Sequence, residues 1–242
     1  MSTEPEINPF RVWAVVPAAG LGRRMGGECP KQYLPLLGVP VIAQTLLRLS
    51  PLVGLQAIVV ALHAEDRHWE STPKPDFPSI ITVPGGDERC QSVYNGLLAL
   101  NGRADNRDWV LVHDAARPCV RITDMELLLA TVKEQDVGGL LATRITDTVK
   151  RGDGDVVASV IETVDRSGLW RALTPQVFRY GILRQALRNV IDSGDPVTDE
   201  AQAVERLGQR PLLVEGSADN IKITHPQDLR IAEFYLRQQT AG

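Results

Sequence analysis

Short apolar runs alternate along the chain with longer stretches in which apolar residues recur at helical spacing. The short runs predict strands at residues 11–17, 56–61, 79–83, 108–112, 138–142 and 211–215. The longer stretches predict helices at residues 40–50, 89–101, 123–135, 179–192, 199–207 and 226–238. Thr123 precedes an acidic first turn and is the expected N-cap of the third helix. This alternation is typical of a mostly parallel sheet with helices on both faces.

The region from Arg144 to Arg166 interrupts the alternation. It contains two β-rich runs, at residues 145–150 and 156–164, on either side of a turn rich in glycine and aspartate. This pattern predicts a β-hairpin. Because an isolated two-stranded hairpin is marginally stable in water, we expect it to pack on something else. An edge excursion of the same sheet and an arm that pairs with a second subunit are equally supported by the pattern.

Composition and charge narrow the functional classes. The 242 residues carry a formal net charge of −4, which argues against a broad nucleic-acid-binding surface. Cys29, Cys90 and Cys119 are widely spaced and form no Cys-x-x-Cys pair, so we expect free thiols rather than a disulfide framework or a zinc site. The first ten residues are polar, and no apolar run reaches membrane-spanning length. We therefore expect a cytoplasmic protein that binds neither nucleic acid nor a membrane.

The first candidate site follows the first predicted strand. Small residues there let backbone N–H groups approach a polyphosphate closely. They are Pro17, Ala18, Ala19, Gly20 and Gly22. The spacing fits neither a Walker A loop nor the dinucleotide Gly-x-Gly-x-x-Gly, because Met25 stands where the third glycine would be. The nearby cations Arg23, Arg24 and Lys31 favour a phosphate site over a purely structural turn.

A second candidate lies at the end of the third predicted strand, at residues 84–89. Gly85 and Gly86 allow backbone contact with a planar base, and Asp87 and Ser92 would fix this loop or bind the nucleotide. The alternative is that Asp87 is simply the N-cap of the next helix.

The third candidate, at residues 112–118, follows the fourth predicted strand. Ligands of open α/β sheets bind at the carboxyl ends of the strands. Asp114 would bind a substrate hydroxyl or help to hold a metal–phosphate complex, and Arg117 would hold a phosphate. The alternative is a structural salt bridge between these two residues. We interpret His113 as structural.

The fourth candidate is Lys222, which lies between Ile221 and Ile223. If both isoleucines face a core, alternation with period two places Lys222 on the opposite face. That face is either a cleft or a solvated edge.

Together these blocks resemble the 2-C-methyl-D-erythritol 4-phosphate cytidylyltransferase family of the non-mevalonate isoprenoid pathway. The resemblance runs from about Trp13 to Tyr235. It is carried by residues 16–25, 30–33, 85–89, 112–118, 163–166, 172–176, 198–201 and 219–224. It implies one nucleotidyltransferase domain over residues 1–242, with a three-layer, Rossmann-like α/β fold. It also implies that residues 144–167 form a protruding β-arm through which a homodimer assembles, which favours the second interpretation of the hairpin.

The resemblance implies a reaction in which the 4-phosphate of methylerythritol phosphate attacks the α-phosphorus of CTP in line. Pyrophosphate leaves and 4-diphosphocytidyl-2-C-methyl-D-erythritol forms without a covalent enzyme intermediate. Mg²⁺ would bind mainly through the CTP phosphates, so no protein metal site is expected. A cytidylyltransferase for a pentitol phosphate such as ribitol 5-phosphate is the nearest alternative. A nicotinamide-dependent dehydrogenase is disfavoured by the missing third glycine and by the lack of a Tyr-x-x-x-Lys pair.

The resemblance also implies roles for individual residues. Arg24 and Lys31 would stabilise charge on the α-phosphate and on pyrophosphate, Lys222 would align the two phosphates, and Arg166 would reach the acceptor from a second subunit. CTP would be held by Pro17, Ala18, Ala19, Gly20, Gly22, Gly86, Asp87, Ser92 and Ala115. The acceptor would be held by Asp114, Arg117, Thr148, Thr174 and Thr224.

Overall fold

The computed structural model describes residues 10–20, 29–76, 78–154 and 156–241. Its strands are β1 (Val12–Ala18), β2 (Pro35–Leu36), β3 (Val39–Pro40), β4 (Leu55–Leu62), β5 (Ser79–Pro84), β6 (Trp109–Val112), β7 (Gly138–Arg144), β8 (Val149–Gly152), β9 (Val160–Val164), β10 (Trp170–Arg179) and β11 (Leu212–Glu215). Its helices are α1 (Val41–Leu49), α2 (Arg89–Leu98), α3 (Ile122–Val132), α4 (Tyr180–Ser193), α5 (Glu200–Glu205) and α6 (Pro226–Ala241), with a 3₁₀ helix at Lys31–Tyr33.

Seven of these strands form one sheet in the order β11-β7-β10-β6-β1-β4-β5. β10 runs antiparallel to both of its neighbours, and the other pairs are parallel. The predicted α/β fold with a mostly parallel sheet is therefore confirmed. Because β1 pairs in parallel with both β4 and β6, the carboxyl ends of these three strands meet at one edge.

The central strands β1, β4, β6 and β7 are buried on both faces of the sheet, as their continuous apolar runs require. Successive residues of β1 point to opposite faces. Ala14 and Val16 pack in the cluster that includes apolar residues of α1 and α3, whereas Trp13 and Val15 pack in the cluster that includes those of α2 and α4. This three-layer packing fixes the carboxyl edge of the sheet as a rigid platform for the loops that follow the strands.

The predicted hairpin is present. β8 and β9 form an antiparallel pair of their own, in which Val149 lies opposite Val164. The first strand begins at Val149, so residues 145–148 lead into it rather than belong to it. This pair is not hydrogen-bonded into the seven-stranded sheet in the described residues.

The N-cap of α3 differs from the expectation, and one strand of the sheet was not predicted. Helix α3 begins at Ile122 with Arg121 as its N-cap, not at Thr123. The Asp124 carboxylate instead accepts the backbone N–H of Ser217 at 2.8 Å, a tether across 93 residues. Strand β10 was not expected at all, although it lies next to the centre of the sheet.

None of the helices in the described ranges is long and apolar enough to cross a membrane. Cys29, Cys90 and Cys119 form no disulfide among the described residues.

Candidate active site

A cleft of about 370 Å³ opens at the carboxyl edge of the sheet. It brings together the four sequence segments singled out above. Its walls are formed by Pro17, Ala18, Ala19, Gly20, Lys31, Gln32, Gly86, Asp87, Glu88, Arg89, Ser92, Asp114, Ala115, Ala116 and Lys222. Gly22, Arg23 and Arg24 lie outside the described residues. Five other residues predicted for the site do not line the cleft: Arg117, Thr148, Arg166, Thr174 and Thr224.

One wall combines the end of β1 with the 3₁₀ helix. The buried Gln32 side chain donates hydrogen bonds to the carbonyl oxygens of Ala18 at 2.8 Å and Gly20 at 3.2 Å. Nζ of Lys31 donates to the carbonyl oxygen of Ile223 at 2.9 Å. Gln32 therefore holds the start of the small-residue loop in place, while Lys31 connects the helix to the segment that carries Lys222. No role for Gln32 was predicted, since only its position beside Lys31 marks it in the sequence.

The opposite wall is the loop between β5 and α2. A side chain at Gly85 would meet the Cβ of Ala19 at 2.3 Å, so glycine is required for the two loops to approach. The Ser92 hydroxyl accepts the backbone N–H of Gly86 at 3.0 Å, which fixes this loop as expected. The N-cap of α2 is Glu88, not Asp87. The Asp87 side chain is exposed on the cleft wall and makes no hydrogen bond or ion pair with the described residues.

Asp114 lies at the centre of a buried cluster of charges. Its Oδ1 pairs with Nε of Arg89 at 3.0 Å, and its Oδ2 pairs with Nζ of Lys222 at 2.9 Å and Nε of Arg117 at 3.4 Å. Burial would raise the pKa of Asp114, but Arg89, Lys222 and Arg117 together hold that pKa well below its usual range. Asp114 is therefore an ionised carboxylate that positions cations. Its pairing with Arg117 was foreseen as an alternative, whereas its partners Arg89 and Lys222 were not.

Arg89 also pairs with the buried Glu200, the first residue of α5. Burial alone would lower the pKa of Arg89, but the negative charges of Glu200 and Asp114 outweigh burial and raise that pKa above its ordinary value. The guanidinium therefore stays charged. Neither residue received a role from the sequence. Both lie inside segments that carry the family resemblance, yet they are 111 positions apart, and only the fold shows that they pair.

His113 and Thr174 lie beneath Asp114. The Thr174 hydroxyl accepts the backbone N–H of Asp114 at 3.1 Å and lies 3.0 Å from Nδ1 of His113. Nε2 of His113 lies 3.0 Å from the carbonyl oxygen of Arg117, which can only accept, so Nε2 carries the proton and Nδ1 accepts from Thr174. Burial lowers the pKa of His113 to about 4. The histidine is structural, as interpreted, and the Thr174 hydroxyl is engaged inside the protein.

The segment that carries Lys222 is held from behind. Ile223 is fully buried and Ile221 packs against the same cluster, while Lys222 faces the cleft with 38% of its side chain exposed. The placement predicted by alternation is thus confirmed, although this segment is not a strand. Nη1 of Arg117 donates to the carbonyl oxygen of Asn220 at 2.8 Å, and the Thr224 hydroxyl donates to that of Lys222 at 3.2 Å. Both residues support the lysine.

The remaining two predicted residues belong to the hairpin region. Thr148 and Arg166 are exposed, and Arg166 donates to the carbonyl oxygen of Thr146. Neither side chain faces the cleft of its own chain.

A larger hollow of about 980 Å³ opens at the other edge of the sheet, beside the start of β6. Its lining includes Arg107, Arg179, Arg184 and Arg188, but none of the residues predicted for the site. The smaller cleft is the better candidate because it combines a glycine-rich loop, two lysines and a buried aspartate.

The family model of 2-C-methyl-D-erythritol 4-phosphate cytidylyltransferase matches residues 12–238. The chain belongs to this cytidylyltransferase family. It is 48% identical over 230 residues to the 2-C-methyl-D-erythritol 4-phosphate cytidylyltransferase of Hahella chejuensis, covering 94% of each chain. It is 46% identical over 228 residues to that of Pseudomonas syringae pv. tomato, again covering 94% of each.

Solved structures of the cytidylyltransferase family show the same fold. A crystal structure of 4-diphosphocytidyl-2C-methyl-D-erythritol synthase has a TM-score of 0.80 at 36% identity, covering 94% of this chain and 99% of that one. The cytidylyltransferase of Francisella tularensis has a TM-score of 0.80 at 35% identity, covering 93% and 99% of the two chains.

Proposed function

We propose that this chain transfers the cytidylyl group of CTP to the 4-phosphate of 2-C-methyl-D-erythritol. The products are 4-diphosphocytidyl-2-C-methyl-D-erythritol and pyrophosphate, and the reaction is a step of isoprenoid precursor biosynthesis. Membership of the cytidylyltransferase family over residues 12–238 carries this proposal. The cleft supports it, because two lysines lie beside the small-residue loop at the edge where α/β sheets bind nucleotides.

The transfer needs positioning and charge compensation rather than a strong base. A phosphate monoester dianion is itself a nucleophile, so in-line attack at the α-phosphorus needs no group to remove a proton. Asp114 is too acidic to serve as a base, which agrees with this mechanism. Lys31 and Arg24 stabilise charge on the α-phosphate and the leaving pyrophosphate. Lys222, anchored on Asp114, aligns the attacking and attacked phosphates.

The two facing loops bind CTP. Backbone groups from Pro17 to Gly20, together with Gly22 and Ala115, hold the triphosphate and sugar. Gly86, Asp87 and Ser92 form the pocket for cytosine, and the hydrogen bond from Gly86 to Ser92 keeps that loop in one conformation. A pocket of this size admits a pyrimidine more easily than a purine.

The acceptor binds on the side of Asp114. Arg117 and Thr224 support the segment of Lys222 by donating to its backbone carbonyl oxygens. Thr174 supports Asp114 by accepting the backbone N–H of that residue. Thr148 and Arg166 are supplied by the β-arm of a second subunit, because neither faces the cleft of its own chain. The functional unit in this proposal is a homodimer.

Mg²⁺ would bind mainly through the CTP phosphates. In the described residues no group of three or more His, Cys, Asp or Glu side chains could hold a metal ion. On the cleft wall the exposed carboxylate of Asp87 fits as an acceptor for water molecules bound to the ion, whereas both oxygens of Asp114 are already paired with cations. Mg²⁺ commonly takes most of its ligands from substrate phosphates and water, and it neutralises charge on the triphosphate when bound.

Pyrophosphate release with methylerythritol phosphate as acceptor, measured with each of the four ribonucleoside triphosphates, tests the function. We expect CTP to be strongly preferred. Lys31→Ala should lower turnover by roughly two to four orders of magnitude, whereas Lys133→Ala, an exposed lysine next to α3, should leave it unchanged.

Ribitol 5-phosphate, used as acceptor in parallel, tests the nearest alternative. Higher kcat/KM with ribitol 5-phosphate than with methylerythritol phosphate would assign the chain to that reaction instead. Binding of NADH or NADPH, followed by fluorescence titration, would revive the dehydrogenase alternative.

A further inference from the structure

Glu200 is a buried carboxylate that lies behind the cleft and that the proposed mechanism does not use. It is the first residue of α5, and its side chain is 1% exposed. Its Oε1 lies 2.5 Å from Nη1 of Arg89, the first residue of α2. Through this ion pair, α5 contacts an arginine of the cleft wall.

Arg89 connects Glu200 to the cations of the cleft. Nε of Arg89 donates to Oδ1 of Asp114 at 3.0 Å, and Oδ2 of the same carboxylate pairs with Nζ of Lys222 at 2.9 Å. Glu200, Arg89, Asp114 and Lys222 therefore form a continuous chain of alternating charge. A change at Glu200 alters how Arg89 divides its N–H donors between the two carboxylates. It thereby alters how strongly the Asp114 carboxylate pairs with the ammonium group of Lys222.

Stability alone is a poor explanation for the pair of Glu200 and Arg89. Burying a carboxylate and a guanidinium costs desolvation free energy that an apolar pair of similar volume would not. Nη2 of Arg89 and Oε2 of Glu200 are both buried without a hydrogen-bond partner in the described residues. Burial raises the pKa of Glu200, although the charge of Arg89 opposes that shift. We therefore look for the function of this pair in the geometry that it imposes.

The backbone of α5 is held independently of the ion pair. Asp199, the N-cap, accepts the backbone N–H of Gln202 at 2.9 Å. Gln176 on β10 donates to the Asp199 carboxylate at 3.0 Å and accepts the backbone N–H of Ala201 at 2.8 Å. Because these contacts anchor the first turn of the helix to the sheet, neutralising Glu200 should change the chain of charges without moving the helix.

We propose that Glu200 is a positioning residue that acts through Arg89 and Asp114 to place the ammonium group of Lys222 for transfer. The inference rests on the role of Lys222 in the proposed function. With Glu200 ionised, Arg89 is held between two carboxylates and contacts Asp114 through Nε, which leaves Oδ2 to Lys222. Without that charge, Arg89 turns its fork of donors onto Asp114 and competes with Lys222 for the carboxylate.

Glu200→Gln tests this role, because it removes the charge and nearly keeps the shape. We expect kcat to fall roughly tenfold to a hundredfold and KM for CTP to stay within about twofold, since misplacing Lys222 affects transfer more than nucleotide binding. Glu200→Asp, which keeps the charge, should recover part of kcat. Glu205→Gln, on the exposed side of the same helix, is the matched control and should behave as wild type. A wild-type kcat in Glu200→Gln would overturn the inference.

A double-mutant comparison separates this relay from a general weakening of the site. If Glu200 acts through Lys222, Glu200→Gln lowers kcat little further in a Lys222→Met background. If Glu200→Gln lowered kcat by the same factor in the wild type and in the Lys222→Met background, the relay would be overturned and the role of Lys222 would stand. A wild-type kcat in Lys222→Met alone would instead overturn the role of Lys222, and the inference with it.

Arg89→Lys provides a second test should thermal unfolding show that Glu200→Gln does not fold. Lysine keeps the positive charge but lacks the fork that reaches two carboxylates at once. We expect the same loss of kcat with little change in KM for CTP, and a wild-type kcat would contradict the relay.

Discussion

At the scale of single residues, the imidazole of His113 supports the cleft in its neutral form. Protonation of this buried group at acid pH should therefore destabilise the protein. Burial lowers the pKa of His113 from 6.5 to about 4, and the pKa of the unfolded chain should lie near 6.5. Between these values the unfolded state binds more protons than the folded state. The contribution of His113 to stability is therefore complete above pH 6.5 and is lost as the pH falls towards 4. The full loss corresponds to roughly 3 kcal/mol.

His113→Gln isolates this effect, because glutamine keeps one donor and one acceptor and does not titrate. We expect the free energy of unfolding of the wild type to fall by about 3 kcal/mol more than that of the variant between pH 6.5 and 4. Urea unfolding at a series of pH values measures the difference, and contributions from other groups, such as Glu200, cancel in the comparison. Parallel curves for the two proteins would mean that the imidazole is not held neutral.

Sequence reasoning found the residues that line the cleft better than the residues that support them. Asp114 and Lys222 stand out in the sequence because each charge interrupts or follows an apolar run. Arg89 and Glu200 carry equally strong charges, but their significance is a contact between α2 and α5 that no local pattern encodes. Thr174 was predicted to touch the acceptor, yet its hydroxyl is used by His113, which lies 61 residues away in the chain.

At the scale of secondary structure elements, the approach of two loops sets the width of the cleft. A methyl group at position 85 would lie 2.3 Å from the Cβ of Ala19 and 3.0 Å from the hydroxyl of Ser92, so the loops must separate in Gly85→Ala. We expect a loss of about 1–3 kcal/mol in stability, as for overpacking elsewhere. KM for CTP should rise roughly tenfold or more, because both loops contact the nucleotide in the proposed function.

Gly181→Ala is the matched control for this substitution. An added methyl group there would meet side-chain atoms of the exposed Asn106 at 3.1–3.2 Å, a much smaller overlap than the 2.3 Å contact at Gly85. Urea unfolding and steady-state kinetics on both variants test the argument. Equal KM values for CTP in Gly85→Ala and Gly181→Ala would show that contact between the loops does not shape the nucleotide site.

The elements that sequence patterns predicted are those whose burial comes from apolar side chains. β1 and β4 are continuous apolar runs, and their positions were predicted to within one residue at each end. β10 was missed because its buried half contains Pro175, which argues against a central strand, and the polar Gln176, which breaks the apolar run. Gln176 is satisfied by Asp199 and Ala201 on a distant helix, so this strand is stable only in the complete fold.

At the scale of the whole molecule, the hairpin of β8 and β9, with the turn between them, carries exposed apolar side chains. Val156, Val157, Val160 and Ile161 of the arm have exposed fractions between 62% and 106%. Clustered apolar side chains on a two-stranded hairpin are costly in water and typical of an association surface. A second copy of the arm would cover them, which is why we place the dimer contact of the proposed function here.

Mixing two inactive variants tests whether the active site is shared between subunits. Arg166→Ala and Lys222→Ala should each be nearly inactive as homodimers. In a mixed dimer, one site combines Lys222 from one subunit with Arg166 from the other and is intact, while the second site lacks both. Random exchange of subunits makes about half of the dimers mixed, so mixing should restore about one quarter of wild-type turnover per subunit. If Arg166 acted within its own chain, mixing would restore nothing, and an active monomer in sedimentation analysis would likewise contradict the shared site.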